Sequence, residues 1–447
     1  MASLREIPEL AALRSSSGLV RIPPELDVPL TNRVKRLIDT PQFRRLAHIS
    51  QLGLVAMVYP AANHSRFEHS LGVYRMALCF LDRLADDPRF NATVEPHEAE
   101  RFLVAALLHD LGHWPFCHPI EDLSLRKVPN HEQFAQRFLS EAEVAEAIDD
   151  GWGLKPGEIV QLLASKPSNP AQHILHSLLS GPIDVDKMDY LMRDSLHAGV
   201  PYGRNFDHSR LIQSFCLNES GDGLAISEKG KTAAEMMVFA RYVMFSEVYW
   251  HHAVRAATAM LQRAFFLLEP SLDSSALFVL TEQPLIDTLK AAAVGGPAQP
   301  LLHGLFGPTR RLYKRVAQYS LFQQPDIYRL LVRREYGWLI RCAENFSEFA
   351  SSSLGQSIGP HEVLLDAPPQ ALEVQFQIDV HFPKESCYRP LGEVSPVVRS
   401  LAHEQFDDYV KRVRLFVHPS ISAKLRSSSN LSELISRAAE KTDEQTV

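Results

Sequence analysis

Apolar residues recur along this chain mainly at the spacing of amphipathic helices, three or four positions apart. The pattern predicts helices over 66–85, 97–111, 131–147, 158–165, 171–180 and 184–195. In the second of these, Phe102, Val104, Ala105, Leu107 and Leu108 leave almost no polar face, so that helix is predicted to be buried. It delivers His109-Asp110 to its C-terminal end, with Gly112 read as the stop signal. The stretch Arg36-Leu37-Ile38-Asp39-Thr40-Pro41 reads as a helix end, a cap, and a proline opening the next helix. Residues 230–268 form a long helical pattern without proline, and shorter helices follow to about 354.

The pattern changes from about residue 360. Val363 to Pro369 reads as a strand and a breaker, Leu372 to Phe382 alternates as a strand does, and Val413 to Val417 suggests another. The expected fold is therefore mostly α, a helical core with a small C-terminal α+β lobe. Its expected limits are an N-terminal arm over 1–31, a helical domain over 32–355, the lobe over 356–425 and a polar tail over 426–447 with one short helix.

Composition narrows the class. Of 447 residues, 45% are hydrophobic and 22% charged, as in a soluble globular protein. A net charge of −7 disfavours sequence-independent binding to duplex nucleic acid, although a global sum hides local basic patches. Five cysteines, widely spaced and without a C-x-x-C pair, fit a reducing compartment rather than a disulfide framework. Met1 to Leu13 lacks the apolar core of a signal peptide, and the run Phe102 to Leu108 is far short of the roughly 18 residues of a membrane span. A soluble, cytoplasmic protein is expected.

His109-Asp110 carries the strongest chemical signal. A carboxylate at the end of a buried helix is costly unless paired, and a cation resolves that cost. Imidazole nitrogen with carboxylate oxygen suits a divalent metal, but two residues cannot close a site. His69, within Asn63-His64-Ser65-Arg66-Phe67-Glu68-His69-Ser70, and Asp186, within Ile183-Asp184-Val185-Asp186-Lys187-Met188-Asp189-Tyr190, are candidates for the rest. A His-Asp dipeptide is common by chance, and the chain has 19 histidines. The context singles this one out, because three segments each place several charged residues in helices that should be buried.

The ordered set His69, His109-Asp110 and Asp186 resembles the H…HD…D signature of HD-domain metal-dependent phosphohydrolases. The surrounding words resemble the deoxynucleoside triphosphate triphosphohydrolase branch of that superfamily. They are Ile38-Asp39-Thr40-Pro41-Gln42-Phe43, Gln51-Leu52-Gly53, Arg66-Phe67-Glu68-His69-Ser70-Leu71-Gly72-Val73, His109-Asp110-Leu111-Gly112-His113 with Pro115, Phe116 and His118, and Ile183 to Tyr190. The likeness spans about residues 32–260.

The resemblance implies that His69, His109, Asp110 and Asp186 hold a divalent ion, with Mn, Fe, Co, Ni, Zn and Mg all compatible. It implies that His113, His118 and His131 line the phosphates, that His118 acts with Glu121, and that Arg66, Lys187 and Arg241 clamp a triphosphate. Tyr190 and Asp194 would meet phosphate and sugar, with Gln51 near the 3′-hydroxyl, Leu52 against the base and Tyr249 beneath the sugar. Two departures stand out. Trp250 replaces a glutamine that lies near the base in the animal members, and Ala47 replaces the arginine that reads an activating nucleotide there.

The implied reaction is attack of water at the α-phosphorus of a deoxynucleoside triphosphate, giving deoxynucleoside and inorganic triphosphate. Its partners would be a nucleotide and further copies of the chain, as dimer or tetramer. An HD phosphodiesterase or nuclease acting on a monophosphate or a nucleic-acid end is the competing enzyme, and a silent nucleotide-binding regulator the non-enzymatic alternative.

Overall fold

The computed structural model describes residues 3–24, 26–368, 377–403 and 410–445, and most of them are helical. Helix starts follow side-chain chemistry. Thr31 caps α1 (Asn32–Ile38), and Thr40 caps Pro41–Arg44 with proline in the first turn. The Ser65 hydroxyl accepts from the Glu68 amide and opens α2 (Arg66–Leu84), and Pro96 opens α3 (Pro96–Leu108). Asn130 caps α4 (His131–Leu139), Asp184 caps α5 (Val185–His197), and α6 spans Lys231–Val243.

The chain divides into two compact units, each assembled from several stretches. The first takes its residues from 1–114, 130–244 and 374–404, the second from 115–129, 245–373 and 405–447. In the first, α2 packs against α3 and α5. All of Phe102 to Leu108 is buried, and each such leucine or phenylalanine contributes roughly 1.5–3 kcal/mol relative to exposure. This unit also holds a four-stranded sheet in the order Phe215–Leu217, Leu224–Ser227, Asp379–Phe382 and Cys387–Pro390. Its inner pair is parallel, with Ile226 opposite Val380, and its outer pairs are antiparallel.

In the second unit, α7 (His252–Leu268) and α8 (Tyr336–Leu354) flank an antiparallel sheet whose central strand is Val413–Val417, between Lys314–Tyr319 and Val363–Asp366. A concavity of about 960 Å³ in this unit is walled by Arg310, Arg311, Lys314, Arg315 and Arg426. It is a local basic patch of the kind that the net charge of −7 conceals.

The mostly helical fold class agrees with the sequence reading, and the two units bring corrections of detail. The strands after 360 divide between two sheets rather than sharing one lobe, and residues 369–376 of the expected Leu372 to Phe382 strand lie outside the described residues. The 131–147 segment is two helices, because Glu141 takes an extended conformation and opens Ala142–Trp152. The 230–268 pattern also breaks. A π-helical turn over Met244–Tyr249 follows α6, and His251 turns extended so that its side chain caps α7.

The described residues toward both ends are packed. Leu4, Ile7, Leu10 and Val28 of the arm are buried, and Glu9, fully buried, pairs with Arg33. The expected polar tail forms α9 (Leu431–Glu444), which lays Leu434, Ile435, Ala438 and Ala439 against α8. Its apolar stripe is made half of alanine, so composition alone reads it as polar. Among the described residues, no helix is long and apolar enough to cross a membrane.

Candidate metal centre

Three elements of the first unit converge. His69 sits in the first turn of α2, Asp186 in the first turn of α5, and His109-Asp110 in the turn that follows α3. His69 Nε2 lies 3.0 Å from Asp186 Oδ1, 3.3 Å from His109 Nε2 and 4.0 Å from Asp110 Oδ2. His109 Nε2 is 3.4 Å from Asp110 Oδ1 and 4.0 Å from Asp186 Oδ1. Donor atoms that share an ion at about 2.0–2.2 Å stand about 3–4 Å from one another. His69, His109 and Asp110 therefore offer ligand atoms close enough to hold one divalent cation, and Asp186 stands against both histidines.

The other ring nitrogens are engaged so that both Nε2 atoms face inward. His109 Nδ1 bonds the Ala106 carbonyl at 2.9 Å, and His69 Nδ1 bonds Asp189 Oδ2 at 2.9 Å. Imidazoles that hold metals are oriented by such partners on the opposite nitrogen. Burial disfavours charge on His69, but hydrogen bonds to Asp186 and Asp189 and the charge of Asp110 outweigh it and raise its pKa to about 10. Burial likewise opposes the charge of Asp110, yet Arg66, His113 and His109 hold that carboxyl well below the usual range. Three carboxylates thus share one corner of the fold with two imidazoles; Arg66 and Arg193 answer two of them, and a cation can take the place of the His69 proton against the third.

Arg66 and His113 attach to Asp110. Arg66 Nη1 donates to Oδ2 at 2.8 Å, and His113 Nδ1 lies 3.0 Å from Oδ1. Burial, and then the neighbouring Arg66 charge, push the His113 pKa well below its ordinary value. The His131 ring packs on His113 with centroids 4.0 Å apart. Gly112 allows this. A Cβ there would overlap the His131 carbonyl and the Ala135 backbone, and its φ is not positive. The stop-signal reading of Gly112 is therefore corrected: the residue is small so that the start of α4 can close in.

The remaining expected contacts divide. Burial raises the Tyr190 hydroxyl to about 12 against the pull of the Arg241 and Lys187 charges. Lys187 Nζ donates to Asp184 Oδ2 at 2.5 Å. Asp194, 2% exposed, turns to His64 Nε2 at 2.9 Å, and the His64 ring stacks on His197 at 4.4 Å. The Gln51 amide N–H donates to the His64 carbonyl at 2.9 Å, its buried Oε1 has no hydrogen-bond partner among the described residues, and Leu52 beside it is half-buried.

His118, Glu121 and Tyr249 belong to the second unit. There the left-handed backbone of Phe116 opens Cys117–Glu121, and His118 Nδ1 lies 3.7 Å from Glu121 Oε2. Tyr249 packs edge-on against Phe245 at 5.1 Å.

The sequence reading assigned no role to the group behind His69. Asp189 and Arg193 pair on α5, and Arg193 also reaches Glu68, which meets His197. The i, i+4 spacing of Asp189 and Arg193 was the available signal.

Residues 66–191 match the family described as HD domain, and residues 206–431 the HD associated region. The chain belongs to the HD-domain phosphohydrolase family. An uncharacterized protein of Methanocaldococcus jannaschii is 30% identical over 380 residues, 84% of this HD-domain chain and 74% of that one. YwfO of Bacillus subtilis is 36% identical over 252 residues, 56% of this chain and 54% of its own length. Deoxynucleoside triphosphate triphosphohydrolase SAMHD1 of Homo sapiens is 30% identical over 264 residues, 52% of this chain and 41% of the human protein. The chain therefore spans about half the length of the last two relatives.

Among solved structures, a hypothetical protein from Aquifex aeolicus superposes with a TM-score of 0.69 at 26% identity, covering 92% of this chain and 98% of that one. A phosphohydrolase from Bacteroides thetaiotaomicron shares the fold at a TM-score of 0.66 and 23% identity, over 90% of this chain and 99% of that one.

Proposed function

We infer that this HD-domain protein hydrolyses deoxynucleoside triphosphates to deoxynucleoside and inorganic triphosphate. The observation that carries the reading is the convergence of His69, His109 and Asp110, whose ligand atoms lie within 4.8 Å of one another, with Asp186 Oδ1 3.0 Å from His69 and 4.0 Å from His109 and with Arg66 beside them. A divalent ion held there supplies a water of lowered pKa and offsets phosphate charge.

The chain's own groups supply the rest. Arg66, Lys187 and Arg241 give the positive charge a triphosphate needs, and the charges of two of them act on the Tyr190 hydroxyl. The unpartnered Gln51 Oε1 suits a hydroxyl donor such as the sugar 3′-OH. Resemblance gives His118, with Glu121, the protonation of the leaving 5′-oxygen or the alignment of water. It gives Tyr249 the sugar, His113 and His131 the phosphates, Leu52 the base, and Asp194 a place near phosphate and sugar. The relatives named as deoxynucleoside triphosphate triphosphohydrolases support the substrate class. Assembly as a dimer or tetramer and a cytoplasmic setting complete the proposal, the latter supported by five cysteines none of which is in a disulfide.

One observation favours a second reading. Arg66 is held by Asp110 at 2.8 Å and Lys187 by Asp184 at 2.5 Å, and Arg241 is engaged as well, so the cations of the proposed clamp already have partners. Fewer uncommitted charges suit a substrate with a single phosphate, as for a phosphodiesterase or nucleotidase.

Product analysis decides. A panel of deoxy- and ribonucleotides, incubated with several divalent metals and resolved by chromatography, should yield inorganic triphosphate from the deoxynucleoside triphosphates. Release of monophosphate instead would establish the second reading, and binding without turnover a regulator.

A further inference from the structure

The Asp189 carboxylate is fully buried and fully used. Its Oδ2 accepts from Arg193 Nε at 2.8 Å and meets His69 Nδ1 at 2.9 Å, while its Oδ1 accepts from Arg193 Nη2 at 2.7 Å. Arg193 is fully buried as well. Its Nη1 donates to Glu68 Oε1 at 2.6 Å and to the Pro23 carbonyl at 2.7 Å. Glu68 is fixed in turn by His197 Nε2 at 2.9 Å. One guanidinium therefore ties three segments together: α5, the start of α2 beside His69, and the turn between the strands Leu19–Ile22 and Leu26–Pro29.

Stability alone gives a poor account of this arrangement. Well-packed apolar residues replace a buried ion pair at little or no loss of stability, because desolvation offsets the Coulomb gain. The surrounding fold also makes room for the pair. At Gly72, inside α2, any Cβ would overlap Asp189 Oδ1 and Arg193 Nη2. A glycine within a helix costs roughly 0.5–1 kcal/mol relative to alanine. What the ion pair provides, and an apolar pair would not, is a fixed acceptor for His69 Nδ1. That acceptor turns the ring so that Nε2 faces His109 and Asp186.

We propose that Asp189 and Arg193 are positioning residues that hold His69 in the orientation and tautomer for metal binding, with Glu68 and the Pro23 carbonyl anchoring the guanidinium. The proposal rests on the reading of the four-residue cluster as a metal site. Lysine cannot reproduce the fork, because a single ammonium cannot span both carboxylate oxygens and the two further acceptors in fixed geometry.

The test uses the full chain as wild type, Asp189→Asn, Arg193→Lys and Glu68→Gln. Cobalt(II) is titrated in, its visible absorption recorded, and its dissociation constant set by competition with a chelator; circular dichroism and melting report folding. Loss of an outer partner of this kind weakens metal binding about 10–100-fold, and Asp189→Asn and Arg193→Lys should fall in that range with a shifted cobalt band. Glu68→Gln leaves the Asp189 fork intact and should lose less, in the same direction. It keeps the proposal testable if the other two variants do not fold. Folded variants that bind cobalt within about twofold of wild type, with an unchanged band, would reduce the pair to packing. A wild-type chain that takes up no cobalt would instead remove the metal reading itself.

Discussion

His69 and Asp186 meet at 3.0 Å, Nε2 to Oδ1, where a shared ion would sit between them. Without the ion, a proton does that work. The His69 pKa is raised from 6.5 to about 10, so the imidazole is charged at neutral pH. Its contribution to the stability of the metal-free fold is full below the unfolded value of 6.5 and is lost as pH rises through about 10. The metal competes with that proton. Between pH 7 and 9 uptake should therefore release about one proton from this ring, and affinity should rise about tenfold per pH unit. Calorimetry in buffers of different ionisation enthalpy counts the proton. A pH-independent affinity across that window would show that the proton is not there.

Asp110 holds more than a metal. Arg66 is 4% exposed and bonds it, and His113 faces its other oxygen. Asp110→Ala should abolish metal uptake and turnover, and it also leaves Arg66 buried without that carboxylate. Removing one partner of a buried pair costs about 3–5 kcal/mol, so the variant should melt markedly lower. Asp110→Asn keeps the shape and a hydrogen-bond acceptor. It should lose metal while retaining more stability, which separates ligand from brace. Elemental analysis beside a melting curve reads both, and full metal content in either variant would remove Asp110 from the ligand set.

The four ligand-type residues were legible because their chemistry is local to each segment. A carboxylate at the end of an all-apolar helix, as with Asp110 after Phe102 to Leu108, needs a partner wherever the helix packs. The i, i+3 step from His118 to Glu121 was also readable, and the helix places them 3.7 Å apart. Arg193 was not. Two of its four acceptors sit on Asp189 one turn before it, but Glu68 and the Pro23 carbonyl come from segments distant in sequence, and only the assembled fold shows that Gly72 is empty for its sake. The break before α7 escaped for a different reason. His251 stops the helix by turning extended and capping with its ring, with neither proline nor glycine to announce it.

Arg66 stands between two roles, and kinetics can divide them. As a phosphate clamp it should set the substrate concentration needed for half-maximal rate. As the partner of Asp110 Oδ2 at 2.8 Å it should set metal affinity. Arg66→Ala is expected to raise KM for a triphosphate and to weaken metal binding, while Arg66→Lys, keeping the charge without the fork, restores metal binding in part. A KM unchanged at saturating metal would take Arg66 out of the clamp and leave it as a brace for Asp110.

Two glycines on helices of the first unit should respond with opposite signs to the same substitution. At Gly157, in the first turn of Pro156–Ala164, a Cβ would meet nothing within 4 Å, so Gly157→Ala should stabilise by up to about 1 kcal/mol through helix propensity. At Gly72 a Cβ would overlap the Asp189 carboxylate and the Arg193 guanidinium, neither of which is the free end of a mobile chain. Gly72→Ala should therefore cost about 1–3 kcal/mol by overpacking, despite the same gain in propensity. The strain falls on the pair that orients His69, so metal affinity should drop together with melting temperature. In Gly157→Ala metal affinity should stay at the wild-type value. Thermal melts and cobalt titrations of both variants check this, and a Gly72→Ala protein as stable as wild type would mean that the α2–α5 contact is looser than its geometry shows.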